Sequence, residues 1–291
     1  MTKGSRNGET VRRDEGNPDL LVSQSRLPAS AITLLTDFGT SDYFVGALKG
    51  AILSISPAAS ISDITHDIAP QDVEAGAFTL LGAYKSFPPY TIHVAVVDPG
   101  VGSARRPVLV SAGDHFFIGP DNGIFSYIYE REREPKTFHL TNEKYFRNPV
   151  SATFHGRDIF APVAAALSLG ARPADFGPET NDEVRLATLR PVEHESGKLK
   201  GRILHIDRFG NCVTNFTRED LAPDVEGRVS LQVNGKKVRS FRRFFTDDAG
   251  VSEKLFAVWG SAGFLEIAAT NKSAAKMLKA KRGESVILKI R

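Results

Sequence analysis

Residues 94–102 read VAVVDPGVG, and a Ser-Ala-Arg triplet ending at Arg105 follows them. The apolar, β-branched run Ala95-Val96-Val97 is typical of a strand buried on both faces, and Pro99-Gly100 ends it abruptly. Asp98 therefore lies at the carboxyl end of a central strand. Ligands bind at that edge of an open α/β sheet, so an acid there, followed by a glycine-rich loop and Arg105, marks a candidate site. The alternative interpretation is that Asp98 only caps a turn.

Strand and helix patterns alternate around this stretch. Short β-branched runs are followed by segments whose apolar residues recur with helical spacing. This alternation predicts an α/β domain with a mainly parallel sheet and helices on both of its faces. The predicted strands are 31–36, 60–64, 92–97, 108–111 and 116–118, and the predicted helices are 43–55, 72–84, 124–130 and 159–169.

The character of the chain changes after residue 197. Short strand-like runs follow at close spacing, and Asn234-Gly235 between two of them is a strong hairpin signal. The sequence therefore predicts a smaller all-β, barrel-like or sandwich domain with one helical stretch at 273–278. We expect a flexible extension at 1–29, an α/β domain at 30–190 and a β domain at 196–291, with residues 172–197 as the linker region. The predicted β-domain strands are 201–207, 213–216, 229–233, 236–241, 255–258, 264–268 and 286–290.

Composition limits the class of protein. Cys212 is the single cysteine of 291 residues, which excludes a disulfide framework and fits a reducing cytoplasm. Lys plus Arg number 37 and Asp plus Glu 34, spread along the chain, so nothing indicates a nucleic-acid partner. We expect no membrane span, because no apolar run approaches the roughly 20 residues that a bilayer requires.

Polar residues gather in four clusters, each at the end of a predicted strand or the start of a predicted helix. If these ends converge, they form one pocket of carboxylates, an arginine, an imidazole and an amide. Carboxylates at strand ends suit ribose, because an ionised carboxylate accepts two hydrogen bonds from a vicinal diol. The clusters are Asp37–Asp42, Asp98–Arg105, His155–Asp158 and Asp207–Asn211.

A metal site is one rival interpretation, but the spacing that would make it specific, His-Glu-x-x-His on a helix, is absent. Nucleophilic catalysis is a weaker rival, since the chain has no Gly-x-Ser-x-Gly motif and Cys212 lies in an apolar β context. We therefore expect no metal, and we interpret His66 as a structural or surface residue. The side chains that could supply metal ligands are Asp37, Asp42, His66, Asp67 and His155.

Several motifs occur in an order that resembles a known family, the S-adenosyl-L-methionine (SAM) hydroxide adenosyltransferases, which are related to the fluorinase and chlorinase. The resemblance extends from about Ser30 to Arg291. The motifs that carry it are Leu34–Gly39 (LLTDFG), Val97–Gly102 (VDPGVG), Gly119–Gly123 (GPDNG), Phe154–Pro162 (FHGRDIFAP), Ile206–Asn211 (IDRFGN) and Gly263–Ala268 (GFLEIA).

The resemblance implies a reaction in which water attacks the ribose C5′ atom of SAM and releases adenosine and methionine. The family's water-handling trio is an Asp, an Arg seven residues later, and the His of a His-Gly-Arg-Asp motif. Here these positions are Asp98, Arg105 and His155. Because the sulfonium leaves as a neutral thioether, the reaction needs neither an acid nor a metal, and SAM is a substrate rather than a cofactor.

The same resemblance implies the substrate contacts. Asp37 is expected to bind the ribose hydroxyls and Asn211 the adenine edge, while Asp42, Asp207 and Ser261 face the methionine portion. The relatives' pocket forms between two subunits of a trimer, so a homotrimer is expected here.

Several departures separate this chain from the halogenases. They carry a tyrosine in place of Asp98, a serine in place of Gly156 and a long insertion where Arg106 to Phe116 is short, so the resemblance favours hydrolysis. Ala262 stands where they have an arginine beside the methionine-side serine, which leaves carboxylate recognition open. A halide-dependent adenosyltransferase and a non-catalytic adenosine or SAM binder are the alternatives.

Overall fold

A computed structural model describes Met1 and residues 31–195, 197–221, 228–247 and 254–290. The predicted extension falls outside the described residues apart from Met1, so its flexibility stays a prediction. The predicted domain limits, 30–190 and 196–291, stay predictions as well. Two β-sheets make up the fold, one of seven strands and one of nine.

The first sheet has a parallel part and an antiparallel part. Its strands are β1 (Ile32–Thr36), β2 (Ile61–Thr65), β3 (Ile92–Val96), β4 (Pro107–Ala112), β5 (His115–Pro120), β6 (Lys136–His139) and β7 (Glu179–Thr180). They lie in the order β2-β1-β3-β5-β4-β6-β7. The first four are mutually parallel, and β4, β6 and β7 continue the sheet antiparallel. The direction reverses at β4 because the connection from β4 to β5 is a tight turn, which can join only antiparallel strands. The predicted α/β class is confirmed.

Helices cover both faces of this sheet, as predicted. They are α1 (Phe44–Ile55), α2 (Val73–Ala83), α3 (Ser126–Arg131) and α4 (Ala161–Ser168), which is preceded by a π-helical turn at Gly156–Phe160. Leu48 of α1 packs in one apolar cluster with Val94 of β3, and Leu80 of α2 packs in a second cluster with Ala95. Successive side chains of β3 thus enter different cores, which explains why Val94, Ala95 and Val96 are all apolar.

The second sheet is the predicted all-β, barrel-like unit. Its strands are β8 (Val192–His194), β9 (Lys198–Ile206), β10 (Cys212–Thr217), β11 (Val229–Val233), β12 (Lys236–Val238), β13 (Ser240–Phe241), β14 (Leu255–Trp259), β15 (Phe264–Ala269) and β16 (Ser285–Ile290), with helix α5 (Ala274–Leu278). The order is β12-β11-β16-β9-β10-β15-β14-β13, and β8 pairs with β9. Because β12 also approaches β14, the sheet nearly closes around an apolar core.

Two details differ from the sequence prediction, and one is confirmed. Residues 172–197, expected to be a linker, contain the short strands β7 and β8, each paired with a longer strand. The run 236–241, expected to be one strand, divides, because β12 pairs with β11 whereas β13 pairs with β14. The hairpin at Asn234-Gly235 is confirmed, and both residues have the positive φ angles, 49° and 75°, that a two-residue turn requires.

Helix α2 lies between the two sheets. Phe78 of α2 stacks on His205 of β9 with the ring centroids 5.1 Å apart. At the same seam Arg202 forms an ion pair with Glu74, and Arg282 donates to Asp72 over 2.5 Å. Apolar stacking and ion pairs at one helix fix the second sheet against the first.

Candidate active site

The loop after β3 brings Arg105 back to Asp98. Turns closed by Val101 N–H to Asp98 O (3.2 Å) and Ser103 N–H to Gly100 O (3.1 Å) reverse the chain. Gly102 has a φ of 77°, and a Cβ atom there would lie 2.3 Å from the carbonyl oxygen of Ala152. The loop therefore needs glycine at 102, both for its backbone conformation and for its close approach to the segment before His155.

Arg105 holds Asp98 in a two-pronged ion pair. Its Nε donates to Oδ1 over 2.8 Å, and its Nη2 donates to Oδ2. The two side chains are 9% and 6% exposed, so water screens the pair weakly. Burial of a bidentate pair keeps the Asp98 carboxylate in one orientation at the end of the central strand.

His155 is the third member of the group that Asp98 and Arg105 form. It is the residue directly before the π-helical turn. Its Nδ1 lies 2.9 Å from Nη2 of Arg105. A guanidinium has only donors, so Nδ1 must accept and the ring proton of the neutral imidazole sits on Nε2. Burial, and then the positive charge of Arg105, lower the pKa of His155, while Asp98 and Asp158 oppose that shift.

Arg105 retains its Nη1 group for a ligand. Its guanidinium lies 5.3 Å from the centroid of the Phe160 ring, which fixes its plane. Its Nη1 atom is buried and has no hydrogen-bond partner among the described residues. A buried N–H without a partner is costly, so this atom favours a bound oxygen beside Asp98 and His155.

Asp37 lies at the end of β1, next to the strand that carries Asp98. Its Oδ2 accepts a hydrogen bond from the backbone N–H of Gln71 over 2.8 Å. The adjoining Phe38 ring packs edge-on against Phe154, with centroids 5.9 Å apart, immediately before His155. The Asp37 loop and the His155 segment therefore pack together. Asp42 is exposed on the turn that precedes α1.

A second group lies in the second sheet. Asp207, Asn211 and Ser261 line one cavity of about 870 Å³. Oδ1 of Asp207 accepts from the backbone N–H groups of Phe209 (2.9 Å) and Asn211 (2.8 Å), and Oδ2 accepts from Nδ2 of Asn211 (2.9 Å). Asp207 thus shapes its own turn, and the amide oxygen of Asn211 is left to accept from a ligand.

Aromatic side chains enclose the same cavity. Phe209 is 79% exposed at its edge, an unusual position for a large apolar ring. Such rings offer stacking surfaces for a planar heterocycle. The aromatic residues that line the cavity are Phe209, Phe245, Phe256 and Trp259.

The single chain brings the predicted residues together as two groups rather than one. Asp98, Arg105 and His155 are in contact, and Asp37 lies on the neighbouring strand. Asp207, Asn211 and Ser261 share the cavity of the second sheet, which no residue of the first group lines. Among the described residues, the candidate site residues therefore fall into two groups.

Sequence reasoning missed Glu266, which lines the cavity beside Asp207. Desolvation, and then the charge of Asp207, raise its pKa to about 7. The available signal was a lone charge inside the apolar strand motif Phe-Leu-Glu-Ile. It also missed Gln71 and Phe160, whose roles depend on contacts made in the folded chain.

Two residues named for the rival chemistries, His66 and Cys212, have surroundings that fit a structural role. Nδ1 of His66 lies 2.8 Å from Oγ1 of Thr36, a contact that fits the structural interpretation. In the described part of the chain, no group of three or more His, Cys, Asp or Glu side chains is placed to hold a metal ion. Burial raises the pKa of Cys212 to about 11, so its thiol stays protonated, as expected for an inert residue.

Comparison with known proteins agrees with this architecture. Two family models match: the SAM hydroxide adenosyltransferase N-terminal domain over residues 32–177 and its C-terminal domain over residues 201–287. The (R)-S-adenosyl-L-methionine hydrolase of Salinispora arenicola is 38% identical over 261 residues, which are 88% of this chain and 96% of that protein. A fluorinase of an Actinoplanes species is 30% identical over 216 residues, 65% of this chain and 72% of that protein.

A solved structure extends the comparison to the fold. The crystal structure of an uncharacterized conserved protein from Thermotoga maritima superposes with a TM-score of 0.80 at 34% identity, covering 88% of this chain and 99% of that one. Fold and site together define an α/β protein with an appended β-barrel-like sheet and a buried carboxylate, guanidinium and imidazole group. The chain belongs to the SAM hydroxide adenosyltransferase family.

None of the helices in the described ranges is long and apolar enough to cross a membrane.

Proposed function

We propose that this protein hydrolyses S-adenosyl-L-methionine to adenosine and L-methionine, with water attacking the ribose C5′ atom. The observation that carries the proposal is the contact of Arg105 with both Asp98 and His155, which gathers a base, a fixed cation and a neutral imidazole at one point. Membership of a family whose curated relatives include SAM hydrolases supports the choice of substrate.

The leaving group sets what the protein must supply. As the water oxygen bonds to C5′, the C5′–S bond breaks and its electron pair stays on sulfur, so the sulfonium becomes a neutral thioether. No group has to protonate it. The protein has to hold one water in line, remove its other hydrogen-bond partners and take up one proton, which is finally released to solvent.

Asp98 is the proton acceptor in this proposal. Nδ1 of His155 is occupied by Arg105 and its Nε2 carries the proton, so the imidazole can donate to the water but cannot accept from it. Each carboxylate oxygen of Asp98 retains a lone pair beyond the one that Arg105 uses. His155 and the free Nη1 of Arg105 therefore orient the water oxygen, and Asp98 removes the proton.

The remaining predicted residues bind substrate in the same proposal. One oxygen of Asp37 holds Gln71, and the other is available to the ribose hydroxyls. Asn211, with the aromatic rings of the second cavity, takes adenine, while Asp207, Ser261 and Asp42 surround the methionine portion. The reaction requires no metal or cofactor.

A homotrimer would unite the two half-sites. We propose that the Asp98 group of one subunit faces the Asn211 cavity of its neighbour, because each half alone lacks groups that SAM hydrolysis needs. We also propose a cytoplasmic location, supported by the single, buried thiol.

Hydrolysis is favoured over halide transfer by the charge at the nucleophile position. A buried carboxylate repels a halide ion but accepts a proton from water. Gly156 adds a steric argument, because a Cβ atom there would lie 3.1 Å from Cδ1 of Leu48. A serine at 156 would require the Leu48 side chain to move by a few tenths of an ångström.

The test is product analysis. Purified protein is incubated with SAM in halide-free buffer, and then with added chloride or fluoride, and products are separated by chromatography. Adenosine and methionine in every condition are expected. A 5′-halo nucleoside would establish the halide alternative, and tight SAM binding without any product would establish a binding protein instead.

A further inference from the structure

Glu266 occupies a defined place in the cavity of the second sheet. In β15 it pairs with Val213 of β10 on one side and Val258 of β14 on the other. Its carboxyl lies against Gly260: a Cβ atom at 260 would be 1.8 Å from Oε1 and 2.5 Å from Cδ. The glycine at 260 thus leaves the space that the carboxyl fills, next to Ser261.

This carboxyl has no partner of its own. Among the described residues Glu266 makes no hydrogen bond and no ion pair. Asp207, the other acid that lines the cavity, accepts three hydrogen bonds within its own turn. A half-buried carboxyl without a donor loses part of its solvation and gains no protein hydrogen bond in return, which is characteristic of a group whose partner is a ligand.

Charged side chains of both signs lie around this cavity, but Asp207 is the one charge that shifts the pKa of Glu266. Asp207 lies on the β9–β10 turn, Lys272 on the loop after β15, and the guanidinium of Arg242 lies over Phe256, 4.1 Å from its ring centroid. Desolvation is the main cause that raises the pKa of Glu266 to about 7, and Asp207 adds to it. A ligand cation at this carboxyl would reverse both effects, so binding favours the ionised form.

We propose that Glu266 is the counter-ion of the α-ammonium group of the methionine portion, and that it selects the aminoacyl-bearing substrate over adenosine. The proposal rests on the function proposed above. It assigns to Glu266 the cation recognition that family resemblance alone spreads over Asp207, Ser261 and Asp42.

The ammonium is a better partner than the sulfonium on two grounds. It has three N–H donors for a carboxylate, whereas the sulfonium has none. The sulfur is bonded to C5′ and so belongs at the Asp98 group, while the ammonium is at the far end of the methionine chain. In the proposed trimer that end extends into the cavity that Gly260 and Ser261 line. After the reaction, methionine and adenosine are separate molecules, so Glu266 contributes nothing to the retention of adenosine.

The experiment compares Glu266→Gln with wild type by calorimetric binding of three probes: SAM, a SAM analogue without the α-amino group, and adenosine. Loss of a charge-assisted hydrogen bond predicts SAM affinity weaker by about 10- to 100-fold. We expect the deaminated analogue to bind both proteins equally, and adenosine to bind both within about twofold. Glu193→Gln, in the exposed strand β8, is the control, and it should leave the affinities for all three probes unchanged.

A second variant tests the position of the Glu266 carboxyl without changing Glu266 itself. Gly260→Ala should displace the carboxyl and reproduce the selective loss of SAM affinity. Wild-type affinity for SAM should also rise with pH through about 7, the value to which the pKa of Glu266 is raised, and this dependence should vanish in Glu266→Gln. Far-UV circular dichroism verifies that each variant is folded.

Two results would overturn the inference. One is equal loss of affinity for SAM and its deaminated analogue in Glu266→Gln, and the other is unchanged SAM affinity in that variant. Binding is measured without turnover, so a failure here differs from a failure of the proposed function, which is the absence of adenosine when wild type is incubated with SAM.

Discussion

Nδ1 of His155 accepts a hydrogen bond from Nη2 of Arg105 over 2.9 Å. This contact leaves the ring proton of the neutral imidazole on Nε2, so that in the proposed mechanism His155 donates to the reacting water. In the proposed mechanism Arg105 therefore does more than hold Asp98, because it sets which of its two neighbours takes the proton.

The pH dependence of turnover should reflect this contact. Burial and Arg105 lower the pKa of His155 below 6.5, the ordinary pKa of histidine. The imidazole of His155 therefore stays neutral when the pH falls to about 6.5. The acid limb of kcat/KM should accordingly lie below pH 6.5. An NMR titration of the His155 ring should show the same lowered pKa, and Arg105→Met should raise it. A His155 pKa that is unchanged in Arg105→Met would contradict the assigned contact.

Asp98→Asn should abolish most turnover. The amide is nearly the same size but cannot take a proton, so we expect kcat to fall by about 10²- to 10⁴-fold. Adenosine affinity, measured by calorimetry, should change little, because Asp98 faces the water rather than the nucleoside. Asp63→Asn is the matched control: that carboxylate also pairs with a cation, Lys49, over 2.7 Å, but on the protein surface. If Asp98→Asn kept full kcat, Asp98 would not be the base.

Gly102→Ala should damage both stability and activity. The new Cβ atom would lie 2.3 Å from the carbonyl oxygen of Ala152, in addition to the cost of a positive φ. Gly283→Ala isolates that backbone cost, since φ is 83° there and nothing lies within 4 Å of the new atom. We expect about 1–2 kcal/mol of lost stability for Gly283→Ala and clearly more for Gly102→Ala. Chemical denaturation measures both, and equal losses would argue against the clash.

Subunit mixing tests the shared site. Asp98→Ala damages one half-site and Asn211→Ala the other, so each variant alone should be inactive or nearly so. Randomly mixed trimers should recover about a quarter of wild-type activity, because each half is intact in half of the chains and a working site needs both. Mixing is done by partial denaturation and refolding. No recovery, in trimers shown by mass to be mixed, would mean that a site is completed within one chain.

Short sequence patterns predicted most of the strands and helices and about half of the candidate site. The apolar run before Asp98 predicted a central strand, and the Asn234-Gly235 pair predicted a hairpin. Both predictions succeeded because these structures depend on residues that are adjacent in the sequence. The short strands β7 and β8 gave no such signal, since each is an ordered strand only through the longer strand it pairs with. The antiparallel edge of the first sheet was likewise set by pairing partners.

The sequence by itself determined that an acid stands at the end of a buried strand with an arginine seven residues on, and that a histidine precedes a helix much later in the chain. Tertiary structure alone decided that the guanidinium touches both, that the imidazole proton sits on Nε2, and that Asp207 has three donors while Glu266 has none among the described residues. The physical reason is that residue type fixes what a side chain can donate or accept. Protonation, charge and reactivity depend on what surrounds the side chain, and those neighbours come from distant parts of the chain.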